Sequence, residues 1–177
     1  MDSINKQQPE DPHKPLQGKS AIEKIKELVK KSETCFFCTA IGQEGLTTRP
    51  MSVQKTDEHG NLWFLSADDS HKNEEIKKDS WVQLFFQGSA HSDFLTISGQ
   101  ATITKDKKII EELWEPLLKT WFTEGKDDPR ISAIKFMPKE GYYWDNKHGN
   151  AVAFVKMLAG AALGKTLDDS VEGELKV

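Results

Sequence analysis

Arginine is nearly missing from this chain: of its 24 Lys and Arg residues, only Arg49 and Arg130 are arginines. Cysteine is as scarce, with Cys35 and Cys38 alone, so no second pair completes a four-ligand zinc site and no metal is expected. No apolar run approaches the roughly 20 residues that span a bilayer, and the N-terminus shows no signal-peptide core. These absences predict a cytoplasmic protein without a membrane segment. A formal net charge of −4 argues against a general nucleic-acid binder. What is present is 177 residues, 37% hydrophobic and 29% charged, enough for one domain with a real core.

The two cysteines have C-x-x-C spacing, yet a redox motif normally opens a helix whose dipole lowers the thiol pKa. Here the neighbours are Thr34, Phe36, Phe37 and Thr39, residues suited to a strand, where positions three apart face opposite sides. Strand packing is the expectation for both thiols.

The pattern along the chain predicts three parts. Residues 1–19 are polar with three prolines and read as a disordered arm. Residues 20–164 form the domain, and residues 165–177 read as a flexible tail. Within the domain, Ser20 and Glu23 form a capping box for a helix with an apolar stripe of Ile22, Ile25, Leu28 and Val29. Strands are expected at Cys35 to Ile41, Leu46 to Lys55, Leu62 to Ser66, Trp81 to Gln87, Phe94 to Thr104, Ile131 to Met137 and Gly141 to Trp144. Turns fall at Gly42 to Gly45 and Asp57 to Asn61. Helices are expected at His71 to Lys78, from Lys107 to a break at Pro116 with possible continuation to Trp121, and at Ala151 to Leu163. The last carries a stripe of Val152, Val155, Leu158, Ala159 and Ala162. Trp114 and Trp121 read as packing residues. The whole predicts a mainly β, α+β fold: a six- to seven-stranded antiparallel barrel with flanking helices.

Arg49 is unusual in lying inside a strand, with Met51 on its face and Thr48, Pro50 and Ser52 on the other. Pro50 cannot donate a ladder hydrogen bond, which implies an edge, a bulge or a rim there. Ser66 ends the next strand, Ser70 opens a short helix, and Lys72 lies in its first turn. A rim arginine, free amides at a helix start and a lysine together suit a phosphate group. Asp68 and Asp69 would repel that anion unless they turn to solvent or cap the helix. Alone, each residue has a plainer reading: Arg49 in a surface salt bridge, Lys72 and His71 on a solvated helix turn, Trp144 in the core.

In order, Thr48-Arg49-Pro50-Met51, Leu62-Trp63-Phe64-Leu65-Ser66, Asp69-Ser70-His71-Lys72, Val82 to Phe86, Ile97-Ser98-Gly99-Gln100-Ala101, Leu113-Trp114, Trp121-Phe122 with Gly125 to Pro129, and Tyr143-Trp144-Asp145 resemble the pyridoxamine 5'-phosphate oxidase-like FMN-binding split barrels, general stress protein 26 branch. The resemblance runs from about Ile22 to Gly164. It implies a homodimer with FMN at the subunit interface. Arg49 and Lys72 would hold the FMN phosphate, with Ser70 and His71 beside them. Pro50 and Met51 would face the isoalloxazine, Leu65 and Ser66 would line the opposite strand, and Trp144 would approach from the partner subunit. The resemblance leaves the catalytic residues unassigned.

Departures from the family pattern matter too. Phe94 stands where the true oxidases tend to carry a flavin-contacting Gln, no Arg follows Arg130, and His148 is the only late His. Pyridoxamine-phosphate oxidase activity is therefore not expected. The readings that remain are a small-molecule oxidoreductase acting through flavin, or a non-catalytic module that binds or sequesters FMN. Relatives of this fold can also carry haem or a deazaflavin, although no His here has an apolar ligand setting.

Overall fold

The computed structural model describes residues 11–41, 46–90, 92–163 and 169–177. Nine strands among the described residues make one largely antiparallel sheet: β1 Leu16–Gln17, β2 Thr34–Thr39, β3 Thr47–Ser52, β4 Lys55–Thr56, β5 Leu62–Ala67, β6 Trp81–Gln87, β7 Phe94–Thr104, β8 Ile131–Asn146 and β9 Ser170–Lys176. Helices α1 Lys19–Ser32, α2 His71–Lys78, α3 Lys107–Leu113 and α4 Asn150–Leu163 flank it. The main path runs β1-β9-β8-β7-β6-β2-β3, and β5 joins from the side, pairing with β4 and β8. The fold is an α+β split barrel.

The 16-residue β8 organises the sheet. Its first half pairs with β5, its second half with β9, and β7 runs along both. Two strands are expected here, Ile131 to Met137 and Gly141 to Trp144, and the structure joins them although Pro138 cannot donate to a ladder. A register shift between Ser98 and Gly99 carries the proline instead, setting Gly99 opposite Pro138. Only glycine fits at position 99, since a Cβ there would lie 2.1 Å from the Met137 carbonyl oxygen.

The helix α1 buries Ala21, Ile25, Leu28 and Val29 at helical spacing against the barrel. They join Phe37, Phe64, Leu84, Ile97 and Phe136 in the principal core. Alternate burial breaks down in β5, where neighbouring Phe64 and Leu65 are both buried. Phe64 faces the principal core, while Leu65 faces a second cluster with Ile110, Leu113, Phe122, Ile131 and Ala133. The α3 region covers this second face of the sheet.

Several expectations need correction. Nine strands replace six or seven, because both ends of the chain contribute to the sheet. Residues 11–19, read as part of a loose arm, run alongside β9: β1 pairs with it in parallel, and Tyr143 donates from its hydroxyl to the Lys14 carbonyl at 2.8 Å. The supposed tail supplies β9, paired with β8 from Ser170 to Lys176. Polar residues on one exposed strand face hide this pairing from a composition argument. Residues 1–10, 42–45, 91 and 164–168 lie outside the described residues, and with them the Gly42–Gly45 turn. Gly18, not Ser20, starts α1, and the Ser20 hydroxyl donates to the Gln17 carbonyl. Pro116 turns the chain into a 3₁₀ segment, Pro116–Thr120, so the helical phase is lost and Trp121 is exposed while Trp114 packs on the second cluster. Cys35 and Cys38 are free and buried, and burial pushes the Cys35 thiol well above its usual range.

One buried carboxylate fastens α4 to β9. Asp169 accepts from the His148 backbone N–H at 2.9 Å and from the Lys156 ammonium at 2.5 Å, and lies 2.7 Å from His148 Nδ1. Burial raises its pKa, but the Lys156 and His148 hydrogen bonds outweigh that and leave it at about 2. A depressed folded-state pKa gives stability that is full above the unfolded value and lost on acidification. The attachment of α4 should therefore hold above about pH 4 and fail progressively towards pH 2. Amide exchange in 150–163, followed between pH 5 and 2.5, should rise ahead of that in β7; an unchanged ratio would count against this anchor.

Candidate functional site

Among the described residues the strand β3 is an edge that pairs only with β2, which is where Pro50 is tolerated. Alternation sends Arg49 and Met51 towards the interior and Pro50 outward. Arg49 donates from Nη1 to Thr39 Oγ1 at 2.6 Å and from Nη2 to Glu75 Oε2 at 2.9 Å. Thr39 also donates to the same carboxylate oxygen. Burial raises the Glu75 pKa, but its bonds to Thr39 and Arg49 more than offset that and keep it charged. Two donors of the guanidinium are thus fixed by the protein, and its fork is oriented with three N–H groups to spare.

Next to it lies the start of α2. Ser70 is the N-cap residue, but its side chain makes no capping bond; the Asn73 amide donates to the Ser70 carbonyl at 2.9 Å, and the His71 and Lys72 amides keep their donors, among the described residues, for another acceptor. The Ser70 hydroxyl instead accepts from Lys72 Nζ at 3.4 Å and lies 3.2 Å from Ser66 Oγ. Ser66 donates to Asn73 Oδ1 at 3.0 Å, and Asn73 Nδ2 donates to Ser132 Oγ at 2.8 Å. Ser132 closes the circuit by donating to the Ser66 carbonyl at 3.0 Å. This buried network binds the first turn of α2 to the ends of β5 and β8.

Lys72 is half-buried, and no described carboxylate forms an ion pair with it. Burial lowers its pKa, and the Arg49 charge lowers it further. Two cations held together, one partly stripped of water and without a counter-charge, make a setting that an anion relieves. The feared repulsion does not arise from Asp68, whose carboxylate turns aside to Lys77 and Lys105 at 3.6 and 3.1 Å. The remaining acid, Asp69, is exposed.

On the outer face of the sheet, Pro50, Phe36, Phe85 and Thr96 stand in one row across β3, β2, β6 and β7. With Phe94 and Trp144 they line an open cavity of about 710 Å³. Phe36, Phe85 and Trp144 are exposed although large and apolar. Asp145, also in the lining, is taken up by Lys24 at 3.0 Å and Lys31 at 3.5 Å.

The nine residues singled out in the sequence therefore fall into separate places. Arg49, Ser66, Ser70 and Lys72 come together at the rim between β3 and α2. Pro50 and Trp144 share the outer cavity, on the opposite face of β3 from Arg49. Met51 packs against the principal core, and the Leu65 side chain is in the second cluster. The His71 side chain is 96% exposed, with Glu74 at 3.9 Å. Thr39, Glu75, Asn73 and Ser132 were missed. Glu75 had a signal, since it lies three residues after Lys72 and so on the same helix face. Asn73 showed only as an uncharged residue in the charged helix α2.

The sequence profile described as Pyridoxamine 5'-phosphate oxidase like matches residues 20–168. The chain belongs to the pyridoxamine 5'-phosphate oxidase-like family. Among solved structures of this split-barrel kind, a protein assigned as general stress protein 26 from Jannaschia sp. CCS1 superposes with a TM-score of 0.74 at 19% identity, covering 89% of this chain and 99% of that one. The general stress FMN/FAD binding protein of Xanthomonas citri gives 0.59 at 25% identity, covering 70% and 87%. Protein bli-3 of Neurospora crassa is 28% identical over 107 residues, or 55% of this chain and 51% of that protein. The chain thus spans about half the length of that curated relative.

Proposed function

We propose that this member of the pyridoxamine 5'-phosphate oxidase-like family binds FMN as a homodimer and acts as a small-molecule oxidoreductase through the flavin. The observation that carries the reading is the Arg49–Lys72 pair, two adjacent cations beside open helix-start amides, with Lys72 lacking a carboxylate among the described residues. That donor set fits a phosphate monoester dianion: a planar fork, a point charge and backbone N–H groups. The description of the Xanthomonas citri relative as an FMN/FAD binding protein supports the choice of ligand.

Arg49, Ser70 and Lys72 would hold the phosphate, and the β3 edge at Pro50 and Met51 would orient the ring. Trp144 lies with the outer cavity rather than with the clamp. A second copy that brings its own Trp144 to the ring would complete the site, and the exposed aromatic row gives such a copy an apolar face to cover. The bound flavin supplies the redox chemistry.

A second reading, a module that binds or sequesters FMN without turnover, is favoured by one feature of the cavity. Its two ionisable groups of suitable kind are engaged or silenced: Asp145 by two lysines, the Cys35 thiol by burial. The purified protein should be yellow, with visible flavin absorption and FMN released on denaturation, identified by mass. A colourless protein that takes up no added FMN would overturn the proposal. Reduction by NADH or NADPH with turnover of an acceptor separates the oxidoreductase from the silent module.

A further inference from the structure

Lys72 differs in its setting from the other lysines that the barrel partly buries. Lys24 lies 3.0 Å from buried Asp145, and Lys31 lies 2.6 Å from buried Asp93. Burial disfavours both charges, but hydrogen bonds to these carboxylates and to Glu27 outweigh it and push both pKa values up. Lys72 is half-buried with no carboxylate paired to it among the described residues. Its Nζ donates to the Ser70 hydroxyl at 3.4 Å, a long bond to a neutral group. Burial pushes its pKa down, and the Arg49 charge adds to that. A desolvated lysine beside a second cation loses its proton more readily, and the free amine is a nucleophile.

Arg49 supplies the other half of the arrangement. Thr39 and Glu75 fix Nη1 and Nη2 at 2.6 and 2.9 Å, which leaves an oriented fork for phosphoryl oxygens. FMN is the phosphate ester of an alcohol and offers the amine no acyl carbon to attack. We infer that the Arg49–Lys72 site also takes acyl phosphates, and that Lys72 is acylated by them. The inference rests on the phosphate-clamp part of the proposed function and adds a reactive class of ligand to it.

An acyl phosphate suits both halves of the site. Its phosphoryl group docks on the fork as a phosphate ester does, and its carbonyl carbon lies one bridging oxygen from phosphorus, beside the amine. Lys72 Nζ, having lost one proton to water, attacks that carbon with its lone pair. A C–N bond forms, the bond from the acyl carbon to the bridging oxygen breaks, and its electron pair leaves with the phosphate. One amine proton passes to the departing group to give hydrogen phosphate, and nothing is oxidised or reduced. The product amide is neutral, so the clamp keeps Arg49 alone. FMN affinity should then fall by about 10- to 100-fold, which ties flavin occupancy to the supply of activated acyl groups.

The test uses the full chain freed of flavin, acetyl phosphate as the probe and peptide masses as the readout. Lys77 and Lys78, exposed on the same helix, are the internal reference. Lys72 should be acetylated at least about 10-fold faster than these two, because docking holds the acyl carbon beside the amine. Its rate should saturate with acetyl phosphate, fall when inorganic phosphate is added, and be suppressed by prior addition of FMN. Acetic anhydride, which has no phosphate to dock, should show a smaller preference for Lys72. Arg49→Ala should lower the acetyl phosphate rate at Lys72 more than the anhydride rate. If that variant does not fold, competition by inorganic phosphate decides the matter in wild type. If FMN binds but acetyl phosphate labels Lys72 no faster than Lys77, the inference fails and the proposed function stands. A preference for Lys72 that is equal with both reagents and untouched by phosphate also overturns it, since intrinsic reactivity would suffice. Selective, phosphate-sensitive labelling that FMN does not suppress would uphold the inference and remove FMN from the clamp.

Discussion

Replacing Arg49 and Lys72 together with alanine should weaken FMN binding by about 10²- to 10⁴-fold. Each charge-assisted contact contributes about 1.5–3 kcal/mol, and 1.4 kcal/mol is a factor of ten. The two single variants should not be equal. Arg49→Ala also releases Glu75, whose carboxylate is held by Arg49 at 2.9 Å and would then face the anion uncompensated. Lys72→Ala removes a cation that has no carboxylate partner among the described residues and leaves Arg49 oriented by Thr39 and Glu75. Arg49→Ala should therefore cost more. Because the two charges sense each other, the double variant should fall short of, or exceed, the sum of the singles. Fluorescence titration with FMN and with riboflavin, which lacks the phosphate, checks the assignment. FMN affinity should collapse while riboflavin affinity changes little. Equal losses for both ligands would show that these residues do not act on a phosphate.

Arg49 was legible because an arginine in a strand, beside a proline, breaks the local pattern in a chain with only two arginines. The start of α2 was legible for a similar reason, with Ser70 ahead of Lys72 at helix-start spacing. Glu75 and Thr39 were not, since their role depends on β2 and α2 meeting around Arg49, a contact between residues 36 apart in sequence. The same limit applies to β9 and β1. Each is short or polar, and its existence depends on an open edge, that of β8 for β9 and that of β9 for β1, rather than on its own propensity. Pro138 misled in the opposite direction. Local rules end a strand there, whereas the tertiary setting provides Gly99 and a bulge. For α4, the sequence carried the period and left the face open. Hydrophobic periodicity says which residues share a side, but a helix with one charge leaves the choice of side to Asp169, which lies 13 residues from Lys156.

Replacing Asn73 with leucine should damage stability and the site together. Asn73 is fully buried in the first turn of α2, and both ends of its amide are used: Oδ1 by Ser66, Nδ2 by Ser132. Leucine is of similar volume, so little cavity forms, but two buried hydrogen bonds are lost, while Ser66 keeps the Ala67 carbonyl and Ser70 hydroxyl within reach and Ser132 still donates to the Ser66 carbonyl. Two lost hydrogen bonds in a dry setting cost about 1–3 kcal/mol. For a domain of this size the melting temperature should fall by about 2–12 °C. The loss should also reach the anion clamp, because Lys72 leans on Ser70, Ser70 lies against Ser66, and Ser66 is held by Asn73. FMN at 100 times its dissociation constant should raise wild-type stability by about 2.7 kcal/mol. At that same concentration the variant should gain less, since its dissociation constant rises. Ser132→Ala provides the control for mechanism: alone it strands Asn73 Nδ2, but in the Asn73→Leu background that donor is already gone. The double variant should therefore cost clearly less than the two singles added, with a coupling of about 0.5–3 kcal/mol. Additive losses, or an Asn73→Leu variant that binds FMN as wild type does, would mean that the network holds the fold without positioning the clamp.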